Sequence, residues 1–307
     1  MREEYWQAIE ETLHRLAFGV GERRPETLLG ECAPVGDTEI PQPLGAAMAY
    51  SLWLPAKRLR PMLLLAAYRL LREDWREALP FAAGLEMIHT YSLIHDDLPT
   101  LDDDSLRRGK PTNHTVFGED MALLAGDGLL NYAYETMLAA PLCAREPARA
   151  LRAIGCIARR AGVRGMIAGQ TLDVRLEGAP PTEASVRYIH RHKTADLFIA
   201  PMEAGLTLAG ASEAQLAAGR EYGESLGVAF QIIDDLLDIG GDERKLGKLT
   251  GKDALIGKQT WPAVFGAARA RADAAERIDR AVRALNQFDD SANFLREIAH
   301  QSLVRES

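Results

Sequence analysis

The stretch LEMIHTYSLIHDDL, residues 85–98, carries apolar side chains around more than one face when wound as a helix. LGVAFQIIDDLLDI, residues 226–239, does the same. A surface helix needs only one apolar stripe, so helices apolar on several sides belong at the centre of a large bundle. Working outward, residues 2–18 place Tyr5, Ile9, Leu13 and Leu16 on one stripe. Segments near 42–54, 58–73, 76–98, 119–140, 145–176, 182–210, 211–239, 260–286 and 290–305 read as helices too, rich in Ala, Leu, Glu and Arg. No stretch alternates with period two between turns in the manner of a buried strand. The expectation is an all-α protein. No Pro/Ser-rich linker divides the chain, so one domain over 1–307 is expected.

Composition narrows the function. The 307 residues hold 36 Lys+Arg against 44 Asp+Glu, a net charge of −8, with 47% hydrophobic and 26% charged residues. That is ordinary globular composition, and the acidic balance argues against nucleic-acid binding. Cys32, Cys143 and Cys156 are odd in number and lack metal-ligand spacing, which suits a reducing cytoplasm rather than a disulfide framework. The longest apolar runs are short, and MREEYWQAIEETLHRL at the start is charged from residue 2, so neither membrane insertion nor a signal peptide is expected. Two Gly/Pro-rich regions, 29–43 and 240–259, read as loops. The second combines glycines with Lys245, Lys248, Lys252 and Lys258, but its spacing is wrong for a P-loop and no strand precedes it.

Two acidic clusters stand inside this apolar background. Asp96-Asp97 and Asp102-Asp103-Asp104 follow the first stretch, and Asp234-Asp235 with Asp238 end the second. Asp234 and Asp238 are i and i+4, on one helix face, where like charges oppose the helix by about 0.2–0.5 kcal/mol even at a surface. Burial raises that cost unless protons or cations intervene. Asp96 and Asp102 would point about 120° apart on an ideal helix. Pro99 ends or kinks that helix, and the bend would return Asp102 to Asp96. Acidic runs commonly cap helices or solvate a surface, but two such clusters in apolar surroundings suit Mg²⁺, which bridges one or two carboxylates to phosphate. His95-Asp96 alone also admits a metal phosphohydrolase, a reading that needs more histidines and leaves 234–238 unexplained. Basic motifs accompany the clusters: Lys57-Arg58-Leu59-Arg60-Pro61, Arg107-Arg108-Gly109-Lys110 and His190-Arg191-His192-Lys193-Thr194. Arginine forks and lysine point charges suit diphosphate.

The ordered set KRLRP, SLIHDDLPTLDDDSLRRGKPTNH, GQTLD, HRHKT, FQIIDDLLDIGGD and LGK, spread over 45–265, resembles the short-chain trans-prenyltransferases, and most of all the bacterial farnesyl diphosphate synthases. The resemblance implies a single large helical bundle around a deep apolar cavity, and a homodimer. It implies that Asp96, Asp102 and Asp234 bind three Mg²⁺ on an allylic diphosphate, with Asp97, Asp235 and Asp238 completing the metal motifs. Arg107, Lys193 and Lys258 would contact that diphosphate, and Lys248 would close over it as part of a lid. Lys57, Arg60, His89 and Arg108 would hold isopentenyl diphosphate. Gln170, Thr194 and Gln231 would line the reaction chamber, with Lys193, Thr194, Gln231, Lys248 and Lys258 nearest the chemistry. Tyr91, about 7.5 Å along the helix from Asp96 at ~1.5 Å per residue, would floor the cavity at fifteen carbons, and the small Ser92 would not block it. A twenty-carbon product, a non-catalytic partner subunit of the same fold and a terpene cyclase are the alternatives. The subunit reading expects a lost aspartate motif, and a cyclase has no use for a second diphosphate site. Two departures remain: Pro55-Ala56 where the family usually has Gly-Gly, and Ser105 where another Asp is frequent.

Overall fold

The computed structural model describes residues 1–16, 18, 20, 25–28, 40–240 and 256–303. Helices α1 (Arg2–His14), α2 (Leu44–Leu52), α3 (Leu59–Arg69) and α4 (Leu79–Asp96) lead to a hairpin, β1 (Leu106–Arg107) and β2 (Lys110–Pro111), then α5 (Asn113–Phe117) and α6 (Glu119–Leu138). The remainder adds α7 (Pro141–Arg145), α8 (Pro147–Ala161), α9 (Met166–Arg175) and α10 (Glu183–Ile189). A π turn (His190–Ala195) runs directly into α11 (Asp196–Ala209), followed by α12 (Glu213–Gly240), α13 (Trp261–Phe265), α14 (Ala267–Ala284) and α15 (Asn293–Leu303). Among the described residues the hairpin is the only β structure, so the chain is all-α as its periodicity predicts.

By contact the chain falls into two compact units, residues 2–61 with 79–140, and 62–78 with 141–307. In the first, α4 packs along α6, with α1 against α4 and α2 against α6. Tyr5, Ile9 and Leu13 form the buried face of α1 as their spacing requires, but the helix stops at His14, so Leu16, expected on the same stripe, falls beyond it and is only partly buried. Removing such a side chain, for example Ile9→Ala, costs about 2–5 kcal/mol in a well-packed core. In α4, residues on every side are buried, from Phe81 through Tyr91 to Ile94. The α4–α6 approach is close: a Cβ on Gly84 would lie 2.7 Å from Met137 Cγ.

In the second unit α11 is central, with all its residues buried, and α8 and α12 pack against it. The α8 face is amphipathic, burying Ala150, Ala153, Ile154 and Ile157 with Arg152 outside. A cluster of Val186, Ala195, Val228, Ile232 and Trp261 lies under the π turn and α12. Gly227 lets α12 approach, since a Cβ there would meet Ala195 Cα at 2.6 Å.

Three features differ from the sequence reading. The segment expected as one helix over 145–176 is two, α8 and α9, parted at Gly162–Gly165, where a Gly165 Cβ would lie 2.0 Å from the Arg160 carbonyl oxygen. The segment 260–286 breaks at Gly266, whose φ of 78° leaves helical space. The hairpin was not foreseen. Its two-residue strands are too short to show a period, and its turn rests on positive φ at both Arg108 (55°) and Gly109 (72°), the arrangement of a type I′ connection.

Candidate active site

The first aspartate motif begins where α4 stops. Pro99 cannot continue the helix, and the chain turns through Leu101 N–H to Leu98 O (2.8 Å) and Asp103 N–H to Leu98 O (3.2 Å). The turn brings the Asp102 amide onto the Asp96 carbonyl at 2.9 Å, so the two residues are joined by backbone as the proline suggested. Asp96 and Asp102 are partly exposed, whereas Asp97 is 3% exposed. Both Asp97 oxygens accept from Arg107, at 2.8 Å from Nε and 2.5 Å from Nη2. Burial pushes the Asp97 carboxyl up, and Arg107 pulls against it. Burial alone would lower Arg107, but Asp97, Asp96 and Asp104 outweigh it and hold the guanidinium charged.

The hairpin that delivers Arg107 also presents Arg108 at its turn, exposed. Its return strand is tied down by Thr112, whose Oγ1 donates to the Asp104 carbonyl at 2.7 Å. A small pocket in this unit is lined by Thr90, Leu93, Ile94, Asp97, Arg107 and Arg108. Nearby, Arg60 Nη1 is 3.0 Å from His89 Nε2. Burial, then Arg60, Arg108, Arg107 and Arg58, hold the His89 pKa well below its ordinary value. A neutral His89 accepting at Nε2 carries its proton on Nδ1, a buried nitrogen with no protein acceptor. Lys57 is exposed on the loop before α3.

The second motif lies in the last turns of α12. Asp234 is partly exposed, and Asp235 and Asp238 are 3% and 4% exposed. Asp235 Oδ1 accepts from Gln231 Nε2 at 2.9 Å, and its Oδ2 accepts from Trp261 N–H at 2.8 Å and lies 3.2 Å from His190 Nε2. Gln231 in turn accepts from Thr194 Oγ1 at 2.7 Å. His190, Lys193 and Thr194 all come from the π turn, a geometry that recurs at functional sites because its extra residue re-aims side chains. Lys193 Nζ is 2.5 Å from Asp173 Oδ2 on α9. Gln170, three residues earlier on α9, is partly exposed. Lys258 is partly exposed beside Gln259, which is buried and bonded to Ser185 Oγ (2.7 Å) and the Ala179 carbonyl (2.9 Å). Lys248 and most of its loop lie outside the described residues.

Each unit therefore groups its own part of the proposed set: Asp96, Asp97, Asp102, Arg107 and Arg108 in one, with Arg60 beside His89, and Thr194, Gln231 and Asp235 in the other. Tyr91 is 5% exposed on α4, its ring edge-on to His95 at 5.6 Å, and burial raises its pKa to about 12. Ser92 Oγ donates to the His89 carbonyl at 2.8 Å. Among the described residues no three His, Cys, Asp or Glu side chains converge on one point. Hard carboxylates in ones and twos fit Mg²⁺, which takes few protein ligands and completes its shell with water and phosphate.

Residues 41–299 match the family described as Polyprenyl synthetase. A farnesyl diphosphate synthase of Geobacillus stearothermophilus is 48% identical over 251 residues, 82% of this chain and 84% of that one. The chain belongs to the polyprenyl synthetase family. A chloroplastic geranylgeranyl pyrophosphate synthase of Arabidopsis thaliana (number 11) is 43% identical over 253 residues, 81% of this chain and 71% of that protein. The apo crystal structure of an FPP/GFPP synthase from Zymomonas mobilis superposes with a TM-score of 0.79 at 31% identity, covering 99% of this chain and 100% of that one.

As a polyprenyl synthetase, the chain has site partners that its motifs did not reveal. Asp173, the last residue of GQTLD, was overlooked, although its i, i+3 spacing from Gln170 on one helix face was a usable signal. Gln259 was overlooked and His190 was named only within a basic motif, because their partners Ser185 and Asp235 come from distant segments. At the Pro55-Ala56 departure, Trp6 Nε1 donates to the Ala56 carbonyl at 3.1 Å.

Proposed function

We propose that the protein is a trans-prenyltransferase that joins isopentenyl diphosphate head-to-tail to dimethylallyl or geranyl diphosphate, yielding farnesyl diphosphate and diphosphate. One observation carries this reading: in both aspartate pairs the first carboxylate is partly exposed while its neighbour is buried and bonded within the protein. Asp96, Asp102 and Asp234 are the proposed ligands of three Mg²⁺, with Asp97, Asp235 and Asp238 orienting them. When bound, the metal offsets the charge of the allylic diphosphate and of the diphosphate that leaves.

The chain's own groups do the rest. Arg107, Lys193, Lys258 and Lys248 present cations to the allylic diphosphate, stabilising it as the carbon–oxygen electron pair departs with it. Asp173 holds Lys193 in place, and the Thr194–Gln231–Asp235 chain fixes the polar wall facing the resulting allylic cation, with Gln170 beside it. Lys57, Arg60 and Arg108 bind isopentenyl diphosphate, and His89 donates through Nδ1–H. The isopentenyl double bond attacks the cationic carbon, and a proton then leaves, with the released diphosphate as acceptor. Exclusion of water keeps the cation from becoming an alcohol.

Tyr91 is proposed to stop the growing chain at fifteen carbons, with Ser92 leaving the neighbouring space open. Its support is a buried ring whose hydroxyl has no protein partner. The geranylgeranyl synthase likeness keeps a twenty-carbon product as the second reading. A cytoplasmic homodimer is proposed as well. Its supports are the cysteine usage, the absence among described residues of a helix long and apolar enough to cross a membrane, and exposed Leu123, Leu124 and Leu138 on α6.

The test is direct. Pure protein with Mg²⁺, isopentenyl diphosphate and dimethylallyl or geranyl diphosphate is expected to give a fifteen-carbon product. A twenty-carbon product selects the second reading, and no elongation with any primer overturns both.

A further inference from the structure

KRLRP offers three cations in four residues, and the family resemblance gives a diphosphate role to Lys57 and Arg60 but none to Arg58. The structure separates them. Lys57 is exposed and Arg60 is beside His89, but the Arg58 side chain is wholly buried, with 0% exposure. Its Nε donates to Glu10 Oε1 at 2.6 Å, Nη1 to Glu86 Oε1 at 2.7 Å, and Nη2 to the carbonyls of Leu52 (2.8 Å) and Leu54 (3.3 Å). Two carboxylates meet its one charge, so it is turned away from any anion.

We infer that Arg58 is a positioning residue for isopentenyl diphosphate, registering the loop that bears Lys57 and Arg60 against the helix that bears His89. The inference rests on the proposed diphosphate role of those three residues. Glu86 is one turn before His89 on α4, so the Arg58–Glu86 bond and the Arg60–His89 contact are parallel ties between the same loop and helix. Glu10 adds α1, and the Leu52 carbonyl belongs to the last turn of α2, whose acceptors lack helical partners. Arg58 itself has φ of 48°, a left-handed conformation that an L-residue keeps only where its surroundings over-determine it. A planar fork with five N–H groups can satisfy acceptors from three elements at once, and a lysine ammonium cannot.

The test uses the full-length enzyme with Mg²⁺, geranyl diphosphate and isopentenyl diphosphate. Arg58→Lys is expected to raise the KM for isopentenyl diphosphate by about tenfold or more, since an ångström-scale displacement costs up to ~100-fold. The KM for geranyl diphosphate and kcat are expected to stay within about threefold. Because Arg58 acts through Lys57 and Arg60 together, a Lys57→Ala/Arg58→Lys double variant is expected to lose less than the product of the two single losses. An isopentenyl KM within about twofold of the parent, or losses that multiply in the double variant, overturns the proposal. Lys57→Ala is the separate control: if it leaves that KM unchanged, the diphosphate-site reading itself is wrong. Should Arg58→Lys fail to fold, Glu10→Ala replaces it. Loss of a negative charge would tighten anion binding through the field alone, whereas lost positioning weakens it about threefold. Tighter or unchanged binding in Glu10→Ala overturns the proposal.

Discussion

Asp97 and Asp235 hold the same place in two Asp-Asp pairs and are buried to the same extent, yet they are satisfied by different chemistry. Asp97 falls one residue past the end of α4, where Pro99 forces a turn and the local amides are used in closing it. Its partner is a guanidinium from a hairpin ten residues downstream. Asp235 is inside α12, where its own helix supplies an amide from Gln231, the other donor is the Trp261 backbone N–H, and His190 Nε2 lies 3.2 Å away. The first region is an ion pair in a field of arginines, the second a hydrogen-bond network. Both satisfy a buried carboxylate that follows a partly exposed aspartate. The two pairs thus satisfy their buried members by different forces.

The strongest challenge to this comparison is to remove the exposed member of each pair. Asp96→Ala and Asp234→Ala are each expected to lower turnover about 10³-fold while leaving the helical circular dichroism intact. Near-normal turnover in either removes that residue from the metal set. Next, the buried members are expected to differ in stability. Asp97→Asn leaves Arg107 with a neutral partner and is expected to cost about 2–3 kcal/mol, below the full penalty for a broken buried pair because the arginine is partly exposed. Asp235→Asn loses charge but keeps donors nearby, at about 1 kcal/mol. Urea denaturation measures both, and equal losses would erase the distinction.

A smaller effect tests the burial of His89 among the arginines. The folded protein refuses a proton at His89 that the unfolded chain accepts below about pH 6.5, so this group's contribution is full above that pH and falls as pH drops. The expected slope is up to about 1.4 kcal/mol per pH unit. His89→Gln should flatten it in melts taken from pH 7 to 5, and an unaltered slope would deny that burial and the neighbouring arginines keep His89 neutral. The mildest change in rate is expected from Tyr91→Ala, within about threefold in turnover but with product shifted to twenty carbons. An unchanged fifteen-carbon product in chromatography removes Tyr91 as the floor.

Much of the fold was legible because helical periodicity is a local property. Tyr5, Ile9 and Leu13 declare one face of α1, and the all-round apolar content of 85–98 declares a buried helix. Boundaries were less legible where they depend on close approach. Gly165 breaks α8 from α9 because the Arg160 carbonyl occupies the space a side chain would need, and nothing in Gly-Val-Arg-Gly announces that. The hairpin escaped because two-residue strands have no period. Both aspartate pairs and all three basic motifs could be picked out from residue type and spacing, their roles being implied by the resemblance alone, and Pro99 correctly implied that the chain returns from Asp102 to Asp96.

Which residues carry charge, which helices are buried and where Pro99 ends one of them all follow from chemistry within a few residues. Only tertiary structure decided how that charge is divided. Arg58 meets Glu10 and Glu86 across 48 and 28 residues, and Asp235 meets Trp261 across 26. A buried charge is satisfied by whichever group the fold brings within about 3 Å, and no local pattern encodes that distance.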